Sequence, residues 1–310
     1  MSTPATRAGF VAVVGAPNAG KSTLVNGLVG SKVSIVSPKV QTTRMRVIGI
    51  AMADIPDKGE GEARAQVVLV DTPGIFSVAK RRLERAMVAA AWQGADDADV
   101  VALVVDAERG VGAETKAIAE RLKDSRAPRF LVLNKIDLVP REKLLSLTAE
   151  LNAIVPFERT FMVSALKADG VGDLLAAFAL AVPAGPFLYP EDQAADLPLR
   201  LLAAEVTREQ VFLQLHQELP YEAAVETEKW EDRPDGSVRV EQTIHVQREG
   251  QRAIFLGKGG ARIKQIGARA RHELSQMLER QVHLFLHVKV SERWADDPSH
   301  YRSIGLDFKA

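Results

Sequence analysis

The octapeptide Gly15-Ala16-Pro17-Asn18-Ala19-Gly20-Lys21-Ser22 follows an apolar run, Phe10 to Val14, that reads as a strand, and it opens a stretch from Lys21 to Val29 that reads as a helix. Strand, glycine-rich loop and helix in that order are the setting in which G-x-x-x-x-G-K-S cradles phosphate. The glycines let backbone amides wrap the oxygens, and the helix points its positive end at them. Lys21 reaches the β and γ positions, Ser22 offers a hydroxyl to Mg²⁺, and Thr23 completes the stretch.

Outward from this loop, short apolar runs alternate with amphipathic stretches. Gln66 to Val70, Val100 to Val105, Phe130 to Leu133 and Thr160 to Val163 join Phe10 to Val14 as buried strands. Ala79 to Trp92, Ala113 to Lys123, Arg141 to Ala153 and Val171 to Ala181 read as the helices between them. This rhythm predicts an α/β domain over residues 1–183 with a doubly wound, mostly parallel sheet of the P-loop NTPase kind. Pro183, Pro186, Pro190 and Pro198 then fix φ and remove backbone donors, so 184–198 is expected to be a linker. The charged, glycine-bearing loop from Asp54 to Ala65 is expected to be the most flexible.

At 310 residues the chain is long enough for two cores. With 46% hydrophobic and 26% charged residues, it is not a disordered composition. Forty basic residues balance forty acidic ones. The absence of Cys excludes disulfides, zinc-thiolate sites and thiol catalysis, and agrees with a reducing cytoplasm. No stretch approaches the roughly 18 apolar residues of a membrane span, so any membrane contact is expected to be peripheral.

Three further motifs sit at strand ends. Asp71-Thr72-Pro73-Gly74 places a carboxylate where it can hold Mg²⁺ through water, and a glycine whose amide can meet a γ-phosphate. In Asn134-Lys135-Ile136-Asp137, Asp137 can accept two hydrogen bonds from the N1 and 2-amino groups of guanine; adenine has no such amine, so an unpaired carboxylate would penalise it. Ser164-Ala165-Leu166-Lys167 can complete the base pocket through backbone amides. Alone, each tetrad also reads as an ordinary polar turn or helix cap. Their order after the phosphate loop makes a guanine-nucleotide site. Gln41-Thr42-Thr43-Arg44 lies where a Thr can close over Mg²⁺ and the γ-phosphate, Thr43 being favoured over Thr42.

Gly15 to Thr23, Gln41 to Arg44, Asp71 to Gly74, Asn134 to Asp137 and Ser164-Ala165 resemble the signature boxes of the translation-factor-related small GTPases, and of the Era family in particular. The resemblance implies GTP and GDP as ligands, a metal set of Ser22, Thr43 and Asp71, and catalysis resting on Lys21, Thr43 and the Gly74 amide. Ile75 is counted with the nucleotide-binding stretch, yet it stands where Ras-type proteins carry a water-orienting Gln, so hydrolysis is expected to be slow. Asn18 matches an Asn that in related GTPases helps to hold K⁺ at the phosphates.

Past the linker the order changes to a helix from Pro198 to Gln217, strands at Ala223 to Lys229 and Val238 to Val246 about a Pro234-Asp235-Gly236 turn, a helix, and a last strand. Val282, Leu284, Leu286, Val288 and Val290 alternate along that strand. The helix carries an apolar stripe of Ile263, Ile266, Ala270, Leu274 and Met277. Gly257-Lys258-Gly259-Gly260 stands between Ile254-Phe255-Leu256 and this helix, as does the G-x-x-G loop that clamps the backbone of four nucleotides in a KH domain. Residues 248–271 hold seven basic side chains, Arg262 and Lys264 among them, against Glu249 alone. Residues 185–310 carry 17 basic against 20 acidic residues, net minus three, so RNA would have to meet a focused patch.

Tyr189 to Asp192, Glu218 to Tyr221, Arg248 to Gln251, Ile254 to Gly267 and Trp294 to Asp297 resemble successive stretches of the Era C-terminal domain. This implies an α+β type II KH domain over 199–310. It also implies single-stranded RNA near the 3′ end of 16S rRNA as ligand and a part in 30S subunit biogenesis, with no DNA and a monomeric chain expected. A second reading keeps the GTPase but gives the KH-like fold a protein or membrane-surface partner; an ATP-driven motor is disfavoured by Asp137. His283 and His287 share a strand face without a third ligand, so a metal site there is not expected. Trp92, Trp230 and Trp294 are expected to pack rather than stack on bases.

Overall fold

The computed structural model describes residues 6–39, 42–55, 63–76, 79, 81–215, 219–292 and 294–309. Gln41, Glu218 and residues 56–62 of the expected Asp54 to Ala65 loop lie outside them. Two compact units are formed by Met1–Asp196 with Gly305–Ala310, and by Leu197–Ile304.

In the first unit, strands β1 (Thr6–Val14), β2 (Val47–Ile55), β3 (Ala63–Asp71), β4 (Val100–Asp106), β5 (Arg129–Asn134) and β6 (Arg159–Val163) combine with helices α1 (Lys21–Val29), α2 (Arg82–Asp96), α3 (Ala113–Arg121), α4 (Arg141–Ile154) and α5 (Val171–Ala181). The sheet order is β2-β3-β1-β4-β5-β6. All neighbours are parallel except β2, which runs antiparallel to β3. Both faces are covered: Val11 and Val13 of β1 enter one apolar cluster, Ala12 and Val14 the other, as the two-residue period of a strand requires. Every residue of β4 is buried, which explains why the central strands read as unbroken apolar runs. Because β1 lies between β3 and β4, the loops that follow β1 and β4 diverge at the carboxyl edge and open a crevice there.

Strand β2 is absent from the apolar runs singled out above. It is two-faced, with Ile48, Met52 and Ala53 half-buried and Asp54 exposed, so it lacks their unbroken signal. The expected linker also differs from the structure. Its backbone hydrogen-bonds to the first unit: Gly185 N to Thr6 O at 3.0 Å, Ile50 N to Ala194 O at 2.8 Å, and Asp196 N to Ile48 O at 3.2 Å. Proline removes only its own donor, and residues 194–196 lie between Pro190 and Pro198 with their amides intact.

The second unit contains α6 (Leu199–Gln214), β7 (Ala224–Asp232), β8 (Val238–Val246), α7 (Glu249–Leu256), α8 (Ala261–Met277), β9 (Val282–Val290) and α9 (Pro298–Ser303). Its sheet runs β7-β8-β9, with β7 antiparallel and β9 parallel to β8. Val211, Ile244, Val246, Phe255 and Ile266 share one core cluster. Two helices rather than one link β8 to β9. Helix α7 spans only eight residues, too few to display a helical period; it begins where the Gln251 side chain accepts from the Gln247 and Arg248 amides at 2.8 and 3.1 Å. Among the described residues no helix is long and apolar enough to cross a membrane.

Candidate functional site

The loop after β1 is built by close approach. A Cβ on Gly15 would lie 2.3 Å from the Val104 carbonyl oxygen, and one on Gly20 2.2 Å from the Asn134 amide nitrogen. Asn18 takes φ 62°, a conformation Asn tolerates better than most residues. Gly20 begins α1 without a side-chain cap, so the first amides of the helix remain available to an anion. Lys21 is buried, its Nζ donating to the carbonyls of Gly15 at 3.1 Å and Ala16 at 3.0 Å. Burial lowers its pKa to about 8, against the opposing pull of Asp71.

Asp71 ends β3 fully buried, and among the described residues neither carboxylate oxygen has a hydrogen-bond partner. Burial raises its pKa, while Ser22, Lys21 and Ser34, facing it from beyond normal hydrogen-bond geometry, work against that rise. The hydroxyls of Ser22 and Thr43 meet at 2.8 Å. Thr42 turns instead to the Lys39 carbonyl at 2.7 Å and the Ser37 hydroxyl at 2.6 Å. An orphaned buried carboxylate beside two converging hydroxyls, all oxygen donors, fits a hard divalent cation such as Mg²⁺. Thr72 donates to the Val13 carbonyl at 2.8 Å, and Pro73 is buried beside it. Gly74 packs on the phosphate loop so tightly that a Cβ would lie 2.9 Å from Pro17 Cα.

Ile75 anchors the loop from within. It is only 5% exposed, its side chain packs in the apolar cluster of Ala12, Val14 and Leu103, and its amide donates to the Gly15 carbonyl at 3.2 Å. Both ends are consumed in holding the loop, so Ile75 is part of the core.

On the base side, Asn134 braces three segments: Nδ2 donates to the Ala19 carbonyl at 2.9 Å, and Oδ1 accepts from the amides of Lys135 at 2.8 Å and Ala165 at 3.0 Å. The Ala165 amide, expected to serve the base, is therefore engaged within the protein. The Ser164 hydroxyl is the leading influence holding the Asp137 carboxyl below its ordinary pKa, and Lys167 stands 3.4 Å away. Asp137 is thus an ionised acceptor at neutral pH, the state that two guanine N–H donors require.

In the second unit, Gly257, Gly259 and Gly260 take φ of 68°, 60° and 76°, and a Cβ on Gly257 would meet that of Arg262 at 2.8 Å. Only glycine adopts such a run of positive φ without strain. The turn delivers α8 with no side-chain cap at Gly260, which leaves its first amides open. Ile254 is 46% exposed beside it, and Lys258, Arg262, Lys264, Arg269 and Arg271 are all exposed.

The chain matches the family model of a 50S ribosome-binding GTPase over residues 10–135 and that of a KH domain over residues 218–295. GTPase Era of Mesorhizobium japonicum is 60% identical over 306 residues, 99% of this chain and 96% of its own. The chain belongs to the GTPase Era family. GTPase Era of Brucella suis is 57% identical, covering 98% of this chain and 94% of its own. Among solved structures, Era in complex with MgGDPNP and nucleotides 1506–1542 of 16S ribosomal RNA matches with a TM-score of 0.89 at 39% identity, over 97% of this chain and 99% of that one. A variant of Aquifex aeolicus Era bound to GDP and AlF₄⁻ matches with a TM-score of 0.88 at 39% identity, over 96% and 99%.

The Era-type site includes one residue that the sequence reading passed over. Asp106, at the end of β4, meets Lys135 Nζ at 2.5 Å through Oδ2. A single acid after an apolar run reads as a turn. The missed signal was its register: Asp106 sits opposite Asn134 in the parallel pair of β4 and β5. Among the described residues no group of His, Asp and Glu could hold a metal ion by itself. Trp92 and Trp294 are buried, and Arg280 lies 5.8 Å over the half-buried Trp230 ring.

Proposed function

We propose that the protein is a GTP-binding, slowly GTP-hydrolysing switch that binds single-stranded RNA near the 3′ end of 16S rRNA and assists assembly of the small ribosomal subunit. The observation that carries the reading is the match along 97% of the chain to Era bound at once to MgGDPNP and a 16S rRNA fragment, on a chain whose two loops have the corresponding chemistry. We assign the GTPase role to residues 1–183 and the RNA role to the KH unit within 199–310.

In this reading the amides from Gly15 to Thr23 and at Gly74 enclose the phosphates, and Lys21 balances the charge that gathers on the β–γ oxygens as water attacks the γ-phosphorus and GDP leaves. Ser22, Thr43 and Asp71 hold Mg²⁺, which neutralises phosphate charge. Asn134 braces the base loop, and Asp137 reads guanine. No side chain serves as general base; with Ile75 in the core, water is positioned by a partner or by another group, and the unassisted rate is slow. The carbonyl oxygen of Asn18 accepts no hydrogen bond among the described residues, while its amide donates to the Pro38 carbonyl at 3.1 Å; that oxygen suits K⁺.

Gly257 to Gly260, Ile254, Arg262 and Lys264 take the RNA backbone and bases. A cytoplasmic location follows from that partner. The test is titration of a short RNA matching the 16S 3′ end with GTP analogue, with GDP and without nucleotide, at several salt concentrations. Salt-steep binding that Lys258→Glu weakens supports the reading. No RNA binding in any state overturns the RNA half and favours a protein partner.

A further inference from the structure

We infer that Asp106 is a positioning residue for guanine recognition, acting through Lys135 to aim Asp137. The inference rests on the guanine-nucleotide reading and names a residue outside the boxes that carried it.

Lys135 stands in a backbone conformation, φ 64°, that a residue with a Cβ adopts at a cost and keeps only when its surroundings enforce it. Its amide is bound by Asn134 Oδ1 at 2.8 Å. Its carbonyl accepts from the Leu138 amide at 3.0 Å, closing the tight turn that carries Asp137. At the far end of the side chain, Nζ meets Asp106 Oδ2 at 2.5 Å. Asp106 is itself immobilised, being 6% exposed, with Oδ1 accepting from the amides of Glu108 at 2.9 Å and Arg109 at 3.3 Å. The two strand ends are joined again by the Ala107 amide, which donates to the Asn134 carbonyl at 2.9 Å.

The carboxylate thus anchors a strained residue two positions before the acid that reads the base. Without it, Lys135 loses the contact at its far end, and the turn gains freedom to relax from φ 64°. Recognition of the 2-amino group depends on the aim of Asp137, and displacement by an ångström can cost a site orders of magnitude. Loss of the anchor therefore erodes discrimination between guanine and hypoxanthine, which differ by that amine, more than it erodes binding of ribose and phosphates.

The experiment measures the affinities of the full-length protein for GDP and IDP with Mg²⁺ in the wild type, Asp106→Asn, Asp106→Glu, Lys135→Met and the double variant Asp106→Asn with Lys135→Met, each checked by thermal melting. Asp106→Asn preserves the Oδ1 acceptor that caps the loop and places an amide where Lys135 expects a carboxylate. The expected result is a GDP/IDP preference that falls about tenfold in Asp106→Asn, partial recovery in Asp106→Glu, a similar fall in Lys135→Met, and no further fall in the double variant. A folded Asp106→Asn protein that keeps the wild-type ratio, or loses both nucleotides equally, overturns the inference while leaving the guanine reading intact. A wild type that binds neither nucleotide, or does not prefer GDP, overturns both.

Discussion

The side chain of Gln66, fully buried on β3, is bonded to Tyr189 on both sides of its peptide: Oε1 accepts from the Tyr189 amide at 2.9 Å and from that of Leu188 at 2.8 Å, and Nε2 donates to the Tyr189 carbonyl at 2.8 Å. The strand that holds this segment ends five residues later at Asp71. Gln66→Leu is expected to remove all three bonds and cost about 1–3 kcal/mol, the range for polar groups left unpaired. A denaturant melt reads the loss, and faster proteolysis within 184–196 locates it. An unchanged midpoint together with unchanged cleavage would show that the backbone bonds at Gly185, Ala194 and Asp196 hold the segment alone.

Asn134 ties the phosphate loop at Ala19 to the base loop at Ala165. Asn134→Ala is expected to weaken GDP binding by more than tenfold, about 1.4 kcal/mol, by letting the two loops move independently, and to destabilise the nucleotide-free protein by about 1–3 kcal/mol through the buried partners left unmatched. GDP titration and a melt without nucleotide measure the two effects separately. Wild-type affinity in the variant would mean that the loops keep their relation without this amide.

Much of the first unit was legible because its central strands are covered on both faces and so spell continuous apolar runs, and because the phosphate-loop motif carries its own strand-loop-helix context. What stayed hidden depended on neighbours distant in sequence. Strand β2 has a mixed pattern, since its role is to sit at an edge beside 194–196. The packing of the Ile75 side chain among Ala12, Val14 and Leu103 depends on strands that only the sheet brings together. Asp106 gains meaning only when β4 and β5 bring it opposite Asn134. Local chemistry was readable, whereas the partnerships of side chains required the fold.

Ile75→Gln tests whether the Ras-type glutamine can simply be restored. The position faces the core, so the new amide is buried without partners at a cost of about 1–3 kcal/mol. The expected outcome is a lower melting temperature and no faster single-turnover hydrolysis. A faster rate would show that the side chain can swing toward the phosphates.

Asn18 occupies positive φ, so Asn18→Gly keeps the backbone accessible while removing the carbonyl oxygen offered to K⁺. The wild type is expected to hydrolyse GTP faster in K⁺ than in Na⁺ at equal ionic strength, and the variant to lose that difference while still binding GDP. Equal rates of the wild type in the two salts remove the K⁺ assignment.

The KH loop separates structural from electrostatic roles within two adjacent residues. Gly257→Ala places a methyl group 2.8 Å from Arg262 Cβ at φ 68°, and is expected to cost about 1–3 kcal/mol of strain. Loss of RNA binding in that variant would therefore say little about contact. Lys258 is exposed on the same turn, and Lys258→Glu is expected to leave stability within about 0.5 kcal/mol of wild type. If the ammonium meets a phosphate, this change weakens RNA binding uniformly across sequences and lowers the slope of log affinity against log salt by about one. Retained affinity with an unchanged slope would move the phosphate contacts away from this loop, toward Arg269 and Arg271 farther along α8.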